Sequence, residues 1–451
     1  MTDPTASARR RVMSTRGMNA FRHRNYRLFF SGQAVSLVGT WMQQVSQSWL
    51  VLQISGGDPL WLGVVTAAQF LPVMILGLFA GILADVLPKR QTLMIVEAVM
   101  MILALVLAIL TVTGLVQIWM VLVLAVLLGC ANAIEMPVRQ AFAIEMVGPR
   151  DVGNAVALNS AMLNGARVVG PAVAGLTIGA FGIAAAFAIN GLSFLAVLIG
   201  LSRMRDDELH LPARIPRPRS VAEVGSNLAE GLHFVRETPI VLMSIVVVGL
   251  VSTLGMNFSV LVPPLTAGIL KSDAAGYGFL MTATGVGALA AAVALVAGGR
   301  PRPVWIGAGA VVLGVASVAL AASTSFPLSM LLLVPVGAGG IAMAATANAA
   351  IQVAVPDGLR GRVMSVYTTV FSASMPVGGI AMGALASVVG IPVTLATGGL
   401  LSLVVGGLAL VWYGRIRSAR RRPIAVAQST APKTSAAFRP PKPNEVLSTR
   451  R

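Results

Sequence analysis

Positive charge is sorted along this chain by connection rather than spread evenly. Long apolar segments alternate with short polar connections, and nearly every lysine and arginine lies in the two tails or in every second connection. Lys271 is the one base in the other set of connections, and Arg167 is the one base within an apolar segment. Loops on the cytoplasmic side of a membrane retain Lys and Arg in this way. The pattern therefore predicts a multi-pass inner (plasma) membrane protein with both termini in the cytoplasm.

The composition supports this class. Hydrophobic residues make up 56% of the 451 residues and charged residues only 11%. A helix of about 20 residues crosses a hydrocarbon core of about 30 Å, so this length allows about a dozen crossings plus tails. The apolar runs are continuous rather than alternating, which argues against a β-barrel. A net charge of +17, placed beside apolar spans, predicts anionic membrane lipids as partners rather than nucleic acid.

The apolar segments form two sets of six around a polar connection. We therefore predict an all-α membrane protein with 12 transmembrane helices in two six-helix bundles. The predicted division is a basic tail at 1–27, a first bundle at 28–202, a linker at 203–238, a second bundle at 239–414 and a disordered tail at 415–451. The predicted spans are 28–54, 59–84, 91–113, 116–138, 153–179, 182–202, 239–268, 276–298, 303–323, 327–355, 361–388 and 392–414.

The linker has two parts. A charged, proline-rich stretch from Arg203 to Arg219 resists helix formation. Apolar residues then recur at three- and four-residue spacing from Val221 to Val235, which predicts an amphipathic helix on the membrane face. A flexible connection between two halves is the simpler role for this segment, and a regulatory site is the alternative.

The connection after the second span carries Gly81, Asp85, Lys89 and Arg90. A glycine permits close helix contact, and the acid caps a helix end or faces a neighbouring helix N-terminus. This segment resembles the signature loop of the major facilitator superfamily, with Val86 and Pro88 departing from that pattern. The resemblance implies a major facilitator fold, in which this loop controls opening by packing against the second half. An ordinary basic hairpin would explain the bases alone.

The fifth span combines Gly165, Gly170, Pro171 and Gly175. Glycines at five-residue spacing around a Gly-Pro pair flatten one helix face and bend the axis. The segment resembles the antiporter motif of major facilitator exporters, which implies conformational roles for these four residues and export as the direction. Glycine and proline are also common in membrane helices without such a role.

Three charged residues lie within or at the edge of the predicted spans. Arg167 costs at least about 2.5–3.5 kcal/mol to insert, so it should face a wet cavity or an acid. Glu97 in the third span and Glu135 in the fourth are the candidate acids. For Glu135 we favour a pairing with Lys89, Arg90 or Arg139 at the cytoplasmic surface. We expect Arg167 and Glu97 to serve coupling, and Glu135 and Arg139 to serve gating.

The first span is poor in apolar residues. Five uncharged hydrogen-bonding side chains fall within an arc of roughly 80° of its helical wheel: Gln33, Ser36, Thr40, Gln44 and Gln47. Such a stripe lines either a cavity or a helix contact. In the superfamily, spans one, four, seven and ten line the central cavity. The resemblance therefore adds Asn132, Asn257 and Asn348 to the substrate-binding candidates.

No phosphate-binding loop, nucleophile triad or metal-ligand cluster is apparent in the sequence, so we expect neither an enzyme nor a resident metal or other cofactor. The resemblance, strongest over 21–202, implies a monomeric secondary transporter of the enterobactin-exporter-like, drug:proton antiporter branch. We predict export of a drug-like or siderophore-like small molecule, driven by protons. The alternatives are an importer or facilitator of the same fold, and a membrane receptor or scaffold without transport.

Overall fold

The computed structural model describes residues 18–210, 221–299 and 302–421, without the side chains of 78–86, 221–228 and 419–421. Most of both predicted tails lies outside these residues. The described residues form helices and no strand. The spans are Arg24–Ile54 (one), Pro59–Val86 (two), Lys89–Val112 (three), Ile118–Phe181 (four and five), Ile183–Ser202 (six), Pro239–Gly255 with Phe258–Pro264 (seven), Ala274–Ala297 (eight), Val304–Ala321 (nine), Phe326–Ala354 (ten), Asp357–Val389 (eleven) and Ile391–Arg421 (twelve).

The prediction of an all-α protein with twelve long helices is confirmed. Ten helical stretches of the described chain are long and apolar enough to cross a membrane. Ile118–Phe181 counts once among them, although a kink divides it into spans four and five. Span one is not among them, because its polar stripe lowers its hydropathy.

The predicted loop between spans four and five is wrong. Residues 139–152 continue the helix on both sides of Gly148, whose φ of 68° provides the only non-helical backbone within Ile118–Phe181. Glycine adopts this left-handed conformation without steric cost. The charges of this stretch are paired along the helix surface, since Arg139 contacts Glu135 one turn earlier and Lys89 reaches Glu145. This charged stretch can therefore remain helical.

Span seven is interrupted where the sequence predicts one helix over 239–268. The first piece ends at Gly255, and Phe258–Pro264 forms a second piece that continues as a π-helical turn over Leu265–Ile269. Pro263 and Pro264 lack the backbone N–H that a regular helix uses. The wider turn follows these two prolines directly.

Spans one and twelve extend beyond their predicted ends. Span one begins at Arg24, because Asn25 donates to the carbonyl of Arg205 at 2.7 Å and Tyr26 donates to that of Ala155 at 3.1 Å. Span twelve continues to Arg421, within the tail predicted to be disordered. Basic residues near a helix C-terminus are favoured by the helix dipole. Residues 422–451 of that tail lie outside the described part.

The linker helix, Val221–Glu237, lies where the apolar spacing predicts it. Glu230 forms an ion pair with Arg362 at the start of span eleven. The backbone of Arg362 also lies against Gly231, where a side chain would not fit. These contacts fix the end of the linker to the second half of the molecule.

The apolar core divides differently at the two ends of the helices. The arginine-bearing connections, called here the basic face, are 85–90, 139–152, 203–238, 299–302 and 356–362. The other connections, called the sealed face, are 55–58, 114–115, 180–181, 269–275, 324–326 and 389–391. Near the sealed face, one apolar cluster joins both halves, with Trp49 and Ile178 beside Leu261 and Tyr277.

Near the basic face, each half has its own apolar cluster. Phe29, Phe142 and Leu201 belong to a cluster drawn from the first half alone. Met343 and Tyr367 belong to one drawn from the second half alone. The halves therefore meet at the sealed face and part toward the basic face, which leaves a cleft between them.

Candidate functional site

Two antiparallel helix pairs close the cleft at the sealed face. Spans two and eleven approach so closely that a side chain at Gly63 would meet the backbone of Gly379. Spans five and eight meet in the same way at Gly175 and Gly278. Trp49 of span one stacks on Tyr277 of span eight, with ring centroids 6.0 Å apart. Inside a membrane the hydrophobic effect does not drive helices together, so they associate through close backbone packing of this kind.

The glycine-proline motif of span five forms part of this closure. Gly170 lies against Val38 and Trp41 of span one, and the carbonyl of Pro171 lies against Gly278 of span eight. Gly165 differs, because nothing occupies the space that a side chain there would take. Three of the four motif residues therefore pack against other spans, and Gly165 does not.

Spans five and eight separate on the way to the basic face. Gly285 still lies against the backbone of Arg167 and Val168. Beyond that point, Ser160 of span five and Val293 of span eight are both exposed. Arg167 therefore lies where the two halves part.

The ion pairs near the basic face stay within one half. His23 contacts Asp151 at 2.9 Å, and Arg90 contacts Asp206 at 2.6 Å, both in the first half. Arg362 pairs with Glu230 in the second half. Within the described ranges, no ion pair joins the two halves. Electrostatic contacts thus stabilise each half near the basic face without closing the cleft.

The signature loop is described in part. Lys89 contacts Glu145 at 2.7 Å, and Arg90 donates to the carbonyl of Leu201 at 2.9 Å. These bases therefore hold the start of span three against the helix of span four and the end of span six. Gly81 and Asp85 belong to the stretch 78–86, whose side-chain surroundings lie outside the described part.

Spans three and four enclose a buried charge cluster, formed by Glu97, Glu135 and Arg139, which are 1%, 7% and 5% exposed. Arg139 Nε lies 2.6 Å from Glu135 Oε1, and another guanidinium nitrogen donates to Asn159 at 3.3 Å. Of the three bases considered for Glu135, the structure brings it to Arg139. Glu97 lies within electrostatic range of both residues. Its Oε2 accepts no hydrogen bond from any residue that the structure describes.

This cluster contains one more acid than base. An ionised, buried carboxylate without a hydrogen-bond donor is costly. A proton on Glu97 would leave the cluster neutral, with one ion pair intact. The arrangement can therefore hold a proton between two membrane helices.

Arg167 has an aromatic partner rather than an acidic one. Its guanidinium carbon lies 5.0 Å from the centroid of the Trp41 ring, a distance at which a cation–π interaction contributes. No described acid lies within ion-pair distance of it, so the considered pairing of Arg167 with Glu97 or Glu135 is not observed. Span one thus contacts span five through Trp41 at both Arg167 and Gly170.

The polar stripe of span one reaches a small pocket of about 20 Å³ between spans one, two and seven. Gln44 and Gln47 line this pocket together with residues of spans two and seven. Gln47 donates to Gln69 of span two at 3.4 Å. Thr40 is exposed, whereas Gln33 and Ser36 are buried. Gln44 and Gln47, nearer the sealed face, therefore line the pocket. Gln33 and Ser36, nearer the basic face, pack within the first half.

The three asparagines do not share one environment. Asn132 is half-buried in span four. Asn257 is buried, donates to the carbonyl of Thr253 at 2.7 Å and lies against Gly378. Asn348 accepts from Gln352 at 2.5 Å. Asn257 and Asn348 are thus engaged within the second half.

Several residues of the site are absent from the sequence-based candidates. Gln69, Thr66 and Ser259 line the pocket, and Gln43 hydrogen-bonds Asn190 within the first half. Glu145 and Asp206 pair with the bases of the signature loop. Polarity inside an apolar segment could have marked Gln69 and Asn190. The pairing of each with its partner depends on helix rotation, which no spacing within one helix defines.

A family model described as transmembrane secretion effector matches residues 15–447. The Staphyloferrin A transporter of Staphylococcus aureus is 26% identical over 175 residues, which are 38% of this chain and 44% of that protein. The uncharacterized MFS-type transporter YfiS of Bacillus subtilis is 25% identical over 264 residues, or 56% and 61%. The chain thus spans about half the length of the curated relatives it matches.

Solved structures share the fold. A bacterial homolog of the human lysosomal transporter Spinster, crystallised in an inward-facing, unoccupied conformation, gives a TM-score of 0.65 at 14% identity, covering 87% of this chain and 96% of that one. The peptide transporter POT gives 0.69 at 14%, covering 87% and 94%. The predicted fold is confirmed. The two curated relatives are named as transporters, which agrees with the prediction that the chain is not an enzyme.

Proposed function

Because the chain belongs to the transmembrane secretion effector family of the major facilitator superfamily, we propose that it is a secondary transporter that exports a small molecule. In this proposal the basic face lies in the cytoplasm of an inner-membrane protein with both termini inside, as the distribution of arginine favours. The described conformation is then open to the cytoplasm and closed to the outside. Two half-molecules rocking about a central site provide alternating access.

The observation that carries the proposal is the cleft. It opens at the basic face and closes through contacts between the halves at the sealed face. Gln44 and Gln47 line a small pocket between spans one, two and seven, to which we assign cargo binding. The pocket offers amide and hydroxyl groups but no ionised side chain. The pocket measures about 20 Å³ in this conformation. In this proposal it widens around a molecule that is recognised through hydrogen bonds and apolar contacts. The siderophore transporter among the relatives favours a siderophore-like cargo, and a drug-like compound fits the same chemistry.

Two observations favour export. The Gly170–Pro171 segment, which resembles the exporter motif, packs at the junction of spans one, five and eight. The family's description as a secretion effector points in the same direction. Transport in the opposite direction by the same fold, and a receptor or scaffold that transports nothing, remain the alternatives that the experiment below separates.

The driving force in this proposal is proton entry. The cluster of Glu97, Glu135 and Arg139 can hold a proton, and Arg167 lies where the halves part. A proton moves the equilibrium between inward- and outward-facing states only if the two states bind it with different affinity. The proposal therefore requires that the change between these states alters the surroundings of the cluster, which lies between spans three and four of the first half. We assign proton binding to Glu97 and response to substrate to Arg167.

Inverted membrane vesicles test the direction and the driving force together. A screen of toxic compounds and siderophores against cells with and without the protein, and with Arg167→Ala, first supplies the cargo. Vesicles energised with an inside-acidic proton gradient should then accumulate that cargo, and a protonophore should abolish accumulation. Uptake that persists with ATP and without the gradient contradicts proton antiport. Efflux from the vesicles favours an importer, and no movement in either direction favours a receptor or scaffold.

Glu97→Gln is the matching variant for coupling. It should lower gradient-driven uptake at least tenfold, because the amide cannot exchange a proton, and it should leave counterflow of cargo without a gradient intact. Glu237→Gln removes an exposed acid at the end of the linker helix and serves as the control. Equal gradient-driven uptake by the wild type and Glu97→Gln would remove Glu97 from the coupling role.

A further inference from the structure

A second cavity lies outside the cleft, within the second half. Spans eight and nine both pack against span ten and leave a groove of about 460 Å³ between them. This volume falls in the range of about 300–1,000 Å³ typical of small-molecule pockets. Most of its lining residues are alanine or glycine, so the space arises from short side chains rather than from distant helices. The cavity is separate from the pocket that Gln44 and Gln47 line.

The groove is as deep as one leaflet of a bilayer. Gly298 and Arg302 line its end at the basic face, and Val312 of span nine lines its inner end. At a rise of about 1.5 Å per residue, the segment from Arg302 to Val312 extends about 15 Å. That distance is half of a hydrocarbon core of about 30 Å. The groove thus runs from the headgroup region to the middle of the membrane.

The end of the groove at the basic face carries positive charge. Arg302 is exposed and, within the described ranges, has no acidic partner. The sequence contains no Asp or Glu from 274 to 355, so nothing in spans eight, nine or ten neutralises this base. Trp305 lines the groove beside it and is 47% exposed. A base and a tryptophan at the headgroup level are the side chains that anchor to a membrane interface.

We propose that this groove is a binding site for one anionic phospholipid of the leaflet at the basic face. Arg302 contacts the headgroup, and an acyl chain fills the space between spans eight and nine. Basic pockets between membrane helices on the cytoplasmic side bind such lipids. The site differs from the general attraction of the basic loops, because it combines one unpaired base with an apolar channel of matching depth.

Mass spectrometry of the intact, full-length protein in detergent tests the site. The protein is titrated with dioleoyl phosphatidylglycerol or dioleoyl phosphatidylcholine, and bound lipids are counted. We expect one lipid bound with a preference for phosphatidylglycerol. Arg302→Ala should reduce that preference about fivefold, the effect of one base near an anionic surface. Ala308→Phe, which places a ring in the groove, should abolish binding of both lipids at this site.

Two variants control for charge and bulk. Arg415→Ala removes an exposed base at the end of span twelve, and Val315→Phe adds a ring on the exposed surface of span nine outside the groove. Both should bind lipid as the wild type does. The proposal is overturned if Ala308→Phe retains the bound lipid, or if Arg415→Ala weakens the preference as much as Arg302→Ala. All five proteins should give the same circular dichroism spectrum.

Discussion

Arg139 compensates buried negative charge in the first half. It is the one base in a cluster with two buried acids, and its ion pair with Glu135 spans 2.6 Å. Removing one partner of a buried pair leaves an uncompensated charge, which costs more than the pair itself contributes. The consequence of losing Arg139 should therefore exceed that of losing a surface arginine.

Arg139→Gln should lower the free energy of unfolding by about 3–5 kcal/mol, because Glu135 then lacks its counter-ion. The double variant Glu135→Gln/Arg139→Gln should recover a large part of that loss, since no unpaired charge remains. Thermal unfolding of the purified protein measures both. Arg415→Gln, at an exposed position, is the control. Equal destabilisation by the single and double variants would contradict the importance of the charge balance.

The residue types of this site could be predicted better than their partners. Glu97, Glu135 and Arg167 are conspicuous because charge is rare inside apolar segments. Arg167 nevertheless lies over Trp41, while Glu97 lies near Glu135 and Arg139. Spacing along one helix gives the height of a residue in the membrane. It does not give the rotation of neighbouring helices, which decides the partner.

At the scale of the elements, the close approach of spans five and eight depends on glycine. Gly175 and Gly278 bring the two backbones together, whereas Gly165 borders open space. The three positions are therefore not equivalent, although the sequence motif treats the glycines of span five alike.

Gly175→Val should destabilise the protein by about 1–3 kcal/mol, because its side chain would collide with the backbone at Ala275 of span eight. Gly165→Val should change stability by no more than about 0.5 kcal/mol. The midpoints of thermal unfolding compare the two variants under one condition. A larger effect at Gly165 than at Gly175 would show that the spans approach one another elsewhere.

The helices themselves were largely predictable, because about twenty apolar residues must cross as helix. The connections between the helices were less predictable. The stretch 139–152 is charged and contains Pro149, which predicts a loop, yet it is helical on both sides of Gly148. Its charges find partners one turn away and on span three, and such pairing becomes visible only when helices are brought together.

For the molecule as a whole, the register of spans five and eight predicts which residues meet when the cleft closes. Gly175 faces Gly278 and Val168 faces Gly285, in antiparallel order. Continuing that register toward the basic face pairs Ser160 with Val293, both of which are exposed. Closure of the cleft should bring these two together.

Cysteine cross-linking tests this movement in a Cys130→Ala background, which removes the single native thiol. Ser160→Cys/Val293→Cys should form a disulfide only when the cleft closes. Gly179→Cys/Ala275→Cys, at the sealed face, should form one in the described conformation, because a side chain at Gly179 would lie 3.6 Å from the Cβ of Ala275. Adding cargo and a proton gradient should increase disulfide formation by one pair and decrease it by the other. Parallel changes would contradict rocking of rigid halves.

Among the described residues, the buried charged side chains all belong to the first half: Glu97, Glu135, Arg139 and Glu145. If proton movement drives the transport cycle, the first bundle binds the proton and the second bundle moves without binding one. A chimera with a foreign second bundle should then keep its proton-to-cargo ratio while its choice of cargo changes. Exchange of the first bundle should alter the ratio itself.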